Sequence, residues 1–443
     1  MFFKSAKFRE ESGAGRWRVR ALKAKDRIEP VSAVETSPDL GPGTGAGAIP
    51  IPPALAAKPA RSGRGPGGAA DLKGRIGTAS FAFRGYDQTN IGRSDELLAH
   101  PAYGPVVRRA LDEASRISSE TLKRNIDLAA RVAARGASSL DSFAEDVATI
   151  VAIEMAQLRL LEEFFGVPVR EAKQSLGYSI GELSAMILGG AFTMEQLLPI
   201  PLECAADCAE LALDAHMGVL FSRSSVLHLE DVHSICTAVS SQGKGLIGPS
   251  AYLSPNTVLL LGQGDTLNRL ERAIPEFLPE KTNLRRKPHH WPPLHTPLVW
   301  EKNVPNRTAV ALYHIEGGME KPKPAVISCV TGAASYDGIN TRDILIDWVD
   351  HPQLLWDVIH ETLVSGVELM IHVGPAPNLI PATFERIGNN VGKQLGNRYL
   401  QLLGRGVVNR NAWLPRLLPK TALIRALFLE HVILEDWLLE QAV

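Results

Sequence analysis

The chain has 443 residues, of which 45% are hydrophobic and 21% charged, and its formal net charge is −1. That length is enough for a large core and two or three domains, and the even charge balance argues against nucleic acid or an anionic membrane as the main partner. No uncharged apolar run reaches membrane-spanning length, so no transmembrane helix is expected.

Residues 1–27 are basic, with Arg16, Arg18, Arg20, Lys23 and Lys25 among them, and hold no apolar core of a secretory signal. From Ile28 to about Ala70 the chain is rich in Pro, Gly and Ala. Such a composition buries too little apolar surface to offset its ordering entropy, so residues 1–70 read as a solvated tail and a disordered linker. Ile76 to Phe83 reads as the first strand, ending in the turn Arg84-Gly85-Tyr86-Asp87. Helices are predicted over Ala102–Ser115, Ser119–Ala134 and Phe143–Phe165, the last apolar on most faces. A short strand from Lys173 to Leu176 follows, and then the stretch on which the reading turns.

Gly177-Tyr178-Ser179-Ile180-Gly181, lying between that strand and the helical Leu183–Leu188, has the strand, Gly-x-Ser-x-Gly, helix order of a nucleophile elbow. The backbone at Ser179 has to turn so sharply that residues two positions away nearly collide, and glycine at 177 and 181 removes the colliding side chains. The helix beyond the serine aims backbone N–H groups at a developing oxyanion.

After a further helix over Met194–Ala215 the texture changes. Strands at Met217–Phe221, Ile247–Leu253, Val258–Leu261 and Asn283–Arg286, with helices at Leu229–Val239 and Thr266–Phe277, give the β-α-β-β-α-β order of a ferredoxin-like unit over 216–288. A strand at Ala325–Val330, a helix at Trp356–Ser365 and a strand at Glu368–Val373 resume the alternation of a parallel α/β sheet, assigned to 71–215 and 289–405. In the C-terminal extension, 406–443, apolar Leu423, Leu427, Val432, Leu434 and Leu438 recur at helical spacing. This predicts a helix packed on the body or on a second copy; acids among the bases count against a membrane-surface helix.

A nucleophilic serine needs a base. Among 12 histidines, His295 stands out because Pro292, Pro293 and Pro297 stiffen the loop that would aim it. Of the four cysteines, Cys204 and Cys208 sit at helical i, i+4 spacing without a second zinc-like pair. They read as buried thiols rather than half a metal site, no metal is expected, and a reducing cytoplasm fits this usage.

From about Gly77 to Ile387 the chain resembles malonyl-CoA:acyl carrier protein transacylase, the acyltransferase family of fatty-acid and polyketide synthesis. Gly177-Tyr178-Ser179-Ile180-Gly181-Glu182-Leu183-Ser184-Ala185 is similar to the family's Gly-His-Ser-Leu-Gly-Glu-Tyr-Ser-Ala, and Leu294-His295-Thr296-Pro297-Leu298 to its Phe-His-Ser/Thr-Pro-Leu. Ser254-Pro255 and Val373-Gly374-Pro375 match as well, and the ferredoxin-like insertion falls where the family has it. The resemblance implies a large subdomain of the α/β-hydrolase-like kind with an inserted ferredoxin-like one. It implies ping-pong transfer of a malonyl or other short acyl group from coenzyme A to the phosphopantetheine thiol of an acyl carrier protein, with no bound cofactor. Ser179 would be the nucleophile, His295 its base, the backbone carbonyl of Trp348 the group orienting the histidine, and the N–H groups of Tyr86 and Ile180 the oxyanion hole.

Three departures matter. The family's first loop, Phe-Pro-Gly-Gln-Gly, is Phe83-Arg84-Gly85-Tyr86-Asp87 here, and Tyr178 replaces the histidine before the nucleophile. The arginine that holds the malonyl carboxylate in the family aligns with Cys204, and no Arg or Lys occurs from Leu183 through Met217. An unpaired buried carboxylate is costly, so either Arg84, Arg223 or Arg285 is the clamp or the acyl group carries no free carboxylate. A serine hydrolase or thioesterase, and a non-catalytic carrier-binding relative, are the rival readings.

Overall fold

The computed structural model describes residues 67–222, 225–381, 383–385 and 419–443. The basic tail, nearly all of the Pro/Gly/Ala linker, Arg223 and the stretch 386–418 lie outside the described residues.

β1 (Ala79–Phe83), β2 (Gln174–Gly177), β7 (Ala325–Ile327), β8 (Leu369–Val373) and β9 (Glu430–Ile433) form a parallel sheet in the order β7-β2-β1-β8-β9. β1, β2 and β8 are buried throughout, as parallel strands with both faces covered must be. Alternation along β1 divides its side chains between two cores. Ala79, Phe81 and Phe83 face the Phe143–Phe165 helix, and Ala82 faces Leu355, Val358 and Ile359 of the Leu355–Ser365 helix. The loops leaving the carboxyl ends of adjacent β1 and β2 therefore meet at one edge of the sheet, where ligands bind in open α/β folds.

The second sheet is antiparallel, with β3 (Ala215–Ser222), β4 (Ile247–Ser254), β5 (Thr257–Gln263) and β6 (Thr282–His290) in the order β4-β5-β3-β6. The helices Leu229–Ser241 and Thr266–Phe277 cover one face, packing on Leu220, Val258 and Leu260. Its order and connections are those expected of a ferredoxin-like unit.

Two local readings are corrected. The helix predicted to stop at Ser115 and restart at Ser119 runs unbroken over Gly104–Leu122, and the next one is only Leu128–Ala133. The serines do not break it because their hydroxyls donate to carbonyls one turn back, Ser115 to Leu111 at 2.7 Å and Ser119 to Ser115 at 2.7 Å. The same oxygens then accept the backbone N–H groups of Leu128 and Ile126, at 3.0 and 2.9 Å, which fixes the turn into the next helix.

The C-terminal extension, 406–443, has an apolar spacing that predicts a helix. Its described part is instead the short helix Pro419–Ile424, a 3-10 turn, β9, and the helix Leu434–Glu440. Without β9, β8 would offer unpaired N–H and C=O groups at the sheet edge, and pairing from Leu369↔Glu430 to His372↔Ile433 satisfies them. The helix that follows reaches back to the site loops. The Glu435 carboxylate accepts the N–H of Ala376 at 2.8 Å and of Arg93 at 3.0 Å, and burial pushes its pKa up to about 7.

Candidate active site

Ser179 lies two residues beyond β2, at the N-cap of the helix Ile180–Leu188, with φ 55° and ψ −123°, a conformation that a residue bearing a Cβ rarely adopts. The two flanking glycines make that turn sterically feasible. A Cβ on Gly177 would lie 2.0 Å from the carbonyl carbon of Gly181, and one on Gly181 would lie 2.5 Å from the carbonyl oxygens of both Phe83 and Arg84. A Cβ on Gly85 would meet Tyr178 O at 2.8 Å and Ser179 Cβ at 3.2 Å, so the loop after β1 passes directly against the elbow. Tyr86 of that loop and Ile180 line the same cavity as Ser179, which brings both expected oxyanion donors to the serine's surroundings. The Tyr86 ring is held edge-on between Phe143 and Trp291, with centroids 4.8 and 5.4 Å away.

His295 also has a left-handed backbone, φ 65°, anchored by its N–H donating to Val349 O at 2.7 Å. Ser179 Oγ lies 2.7 Å from His295 Nε2, and His295 Nδ1 lies 2.6 Å from the backbone carbonyl of Trp348. A lone pair on Nδ1 would repel that carbonyl, so Nδ1 carries the proton and Nε2 is left to accept the serine O–H. Burial lowers the His295 pKa from 6.5 to about 4, with the Trp348 carbonyl opposing the shift. The imidazole is therefore a free base across the neutral range, oriented by a carbonyl where a triad would have a carboxylate. Neighbouring Asp350 faces elsewhere, accepting from Trp300 Nε1 at 2.6 Å and pairing with His351 at 2.7 Å.

Sequence reasoning missed Gln353. This buried side chain accepts the Ser179 N–H at 3.1 Å through Oε1 and sets Nε2 3.2 Å from His295 Nδ1. Its backbone joins β4, donating to Ser250 O at 2.9 Å and accepting from Tyr252 N at 2.8 Å. One residue thus ties the elbow to the small sheet and packs its amide beside the histidine ring, and nothing in the local pattern His351-Pro352-Gln353 signals it. Gln353→Leu leaves the Ser179 N–H without its acceptor. Urea denaturation is expected to read a loss of about 1–3 kcal/mol.

Glu182, one turn into the elbow helix, is buried and receives Tyr336 O–H at 2.7 Å and Cys329 N–H at 3.1 Å, its pKa raised by burial to about 7. It locks the loop after β7 to the elbow.

Of the three candidate clamps, the two that lie in the described residues, Arg84 and Arg285, do not line the cavity at the serine. Arg84 is 1% exposed and donates to the carbonyls of Gly85 (2.8 Å), Thr89 (3.2 Å) and Pro375 and to Asn90 Oδ1 (2.8 Å), so its guanidinium is committed to holding the loop. Arg285 is exposed on edge strand β6, and Arg223 lies outside the described residues. Cys204 is buried with its sulfur 3.6 Å from Thr308 Oγ1. The cavity beside Ser179 and His295, about 570 Å³, is lined by Lys287 instead. No group of three or more metal-ligating side chains occurs among the described residues, and no helix among them is long and apolar enough to cross a membrane.

No protein-family model and no curated protein matches the chain. Solved structures do. FabD from Acinetobacter baumannii is 20% identical with a TM-score of 0.56, over 70% of this chain and 91% of that one. Malonyl CoA-acyl carrier protein transacylase from Clostridium perfringens is 21% identical with a TM-score of 0.55, over 73% and 98%. A malonyl-transacylase solved with its type II PKS acyl-carrier protein is 21% identical with a TM-score of 0.54, over 69% and 91%. At such identities the likeness is one of fold. The chain has the fold of the FabD-like acyltransferases, a parallel five-stranded sheet with its helices and an antiparallel four-stranded sheet as a second subdomain.

Proposed function

We propose that the protein is an acyltransferase that moves a short acyl group from a coenzyme A thioester, through an ester on Ser179, to the phosphopantetheine thiol of an acyl carrier protein. The observation that carries this reading is the hydrogen-bonded line from Ser179 Oγ through His295 to the Trp348 carbonyl, lining a largely apolar cavity. In the first half-reaction His295 Nε2 takes the serine proton as Oγ attacks the thioester carbonyl. The N–H groups of Tyr86 and Ile180 receive the oxyanion. The C–S bond then breaks, and the imidazolium returns its proton to the departing thiolate. In the second half the carrier thiol gives its proton to Nε2, its sulfur attacks the ester, and Ser179 recovers its hydroxyl. Neutral His295 suits both halves, because each begins with a proton to be accepted.

Intact-mass measurement after mixing with short acyl-CoA thioesters is expected to show one acyl adduct, released on adding phosphopantetheinylated carrier with the acyl group appearing on the carrier. Rapid release to water without carrier would make the protein a thioesterase. No adduct with any thioester would leave a carrier-binding role.

A further inference from the structure

The uncovered face of the small sheet forms one wall of the Ser179 cavity. β3 contributes Met217 and Val219 and β5 contributes Leu259, each only half-buried because it faces the cavity; Phe143 and Val147 of the long buried helix also line it. Register explains this wall. Val219 pairs with Leu259, so the two point to the same side, opposite Leu220, Val258 and Leu260 beneath the helices. Charge enters at two places. Lys287 comes from edge strand β6 and Asp87 from the loop after β1, and among the described residues Lys287 is the one lysine or arginine that lines the cavity.

An acyl group on Ser179 that extends along this wall is taken out of water against thioether and aliphatic carbon. A terminal carboxylate there would lose its hydration with no guanidinium lining the cavity among the described residues, its one cationic neighbour being Lys287 on the edge strand, and the Asp87 carboxylate lines the same cavity. An alkyl chain gains from the same burial. We infer that the acyl group this site selects is uncharged, a short apolar chain rather than a carboxyacyl group such as malonyl. The inference rests on the transfer reading above and narrows its substrate class.

The test is a competition in loading. Initial rates of adduct formation on the full chain are measured by intact mass with acetyl-, butyryl-, hexanoyl- and malonyl-CoA, for the native protein and for Lys287→Ala. The expected result is that butyryl or hexanoyl loads roughly 10-fold faster than malonyl or more, and that Lys287→Ala leaves this ratio unchanged. Malonyl loading as fast as the alkyl thioesters overturns the inference while leaving acyl transfer intact. If Lys287→Ala then abolishes malonyl loading, Lys287 is the carboxylate's partner. Absence of every adduct defeats the transfer reading and this inference with it.

Discussion

Ser179→Ala is expected to abolish the acyl adduct, and His295→Ala to slow its formation by about 10⁴-fold or more, as for other nucleophile and base pairs that act as a unit. Both variants should unfold at nearly the native denaturant midpoint, which separates lost chemistry from lost structure. The native pH profile carries the sharper content. An ordinary histidine is half-protonated at 6.5, whereas burial brings His295 down to about 4. Protonation is what disables the base, so acylation rates should stay level as pH falls through 6.5 and decline only toward the lowered value. Single-turnover loading followed by mass across that range is the measurement. An acid limb centred at 6.5 would mean that His295 is either hydrated or not the base. The same shift acts on stability in a defined direction. The unfolded chain binds a proton near 6.5 that the folded site refuses, so this residue's contribution to stability is present above 6.5 and is lost as pH falls toward 4.

The second large effect concerns the backbone. Gly181→Ala puts a methyl 2.5 Å from two main-chain carbonyl oxygens at the end of β1, and Gly177→Ala puts one 2.0 Å from the main chain of Gly181. Neither obstacle is a side chain that can swing aside, so β1 and the elbow must separate. Overpacking usually costs about 1–3 kcal/mol, and these two sites are expected at or above the top of that range, with loading lost alongside. Gly77→Ala is the control. Nothing lies within 4 Å of a Cβ there, and its effect should stay within about 0.5 kcal/mol. Denaturant midpoints for the three variants decide the matter. Equal, small shifts would show that the elbow relaxes easily and that its glycines are not steric requirements.

These expectations differ in how far they could be read from residue order. The elbow was legible because its requirement is local: a serine in a forced turn needs its collisions removed within four residues, and Gly177 and Gly181 stand there. The ferredoxin-like order was legible for a similar reason, since each strand and helix carries its own period and the unit is contiguous from Ala215 to His290. The readings that changed depend on neighbours distant in the chain. Glu430–Ile433 has apolar spacing compatible with a helix, and it is a strand because β8 presents an open edge for it to pair with. Ser115 and Ser119 resemble helix breaks until Ile126 and Leu128 are seen hydrogen-bonded to their hydroxyls.

By itself, then, the sequence determined the steric pattern at Ser179, the two-sheet architecture and a stiff proline-flanked loop to carry His295. Only the tertiary structure decided the rest. It brought a serine and a histidine 116 positions apart to 2.7 Å and set the Trp348 carbonyl against Nδ1. It buried Gln353 between them, committed Arg84 to loop carbonyls, and placed Lys287 in the cavity wall. The physical reason is one of range. Periodicity and turn sterics act over a few residues, whereas hydrogen-bond partners, desolvation and the charge lining a cavity depend on which strands become neighbours.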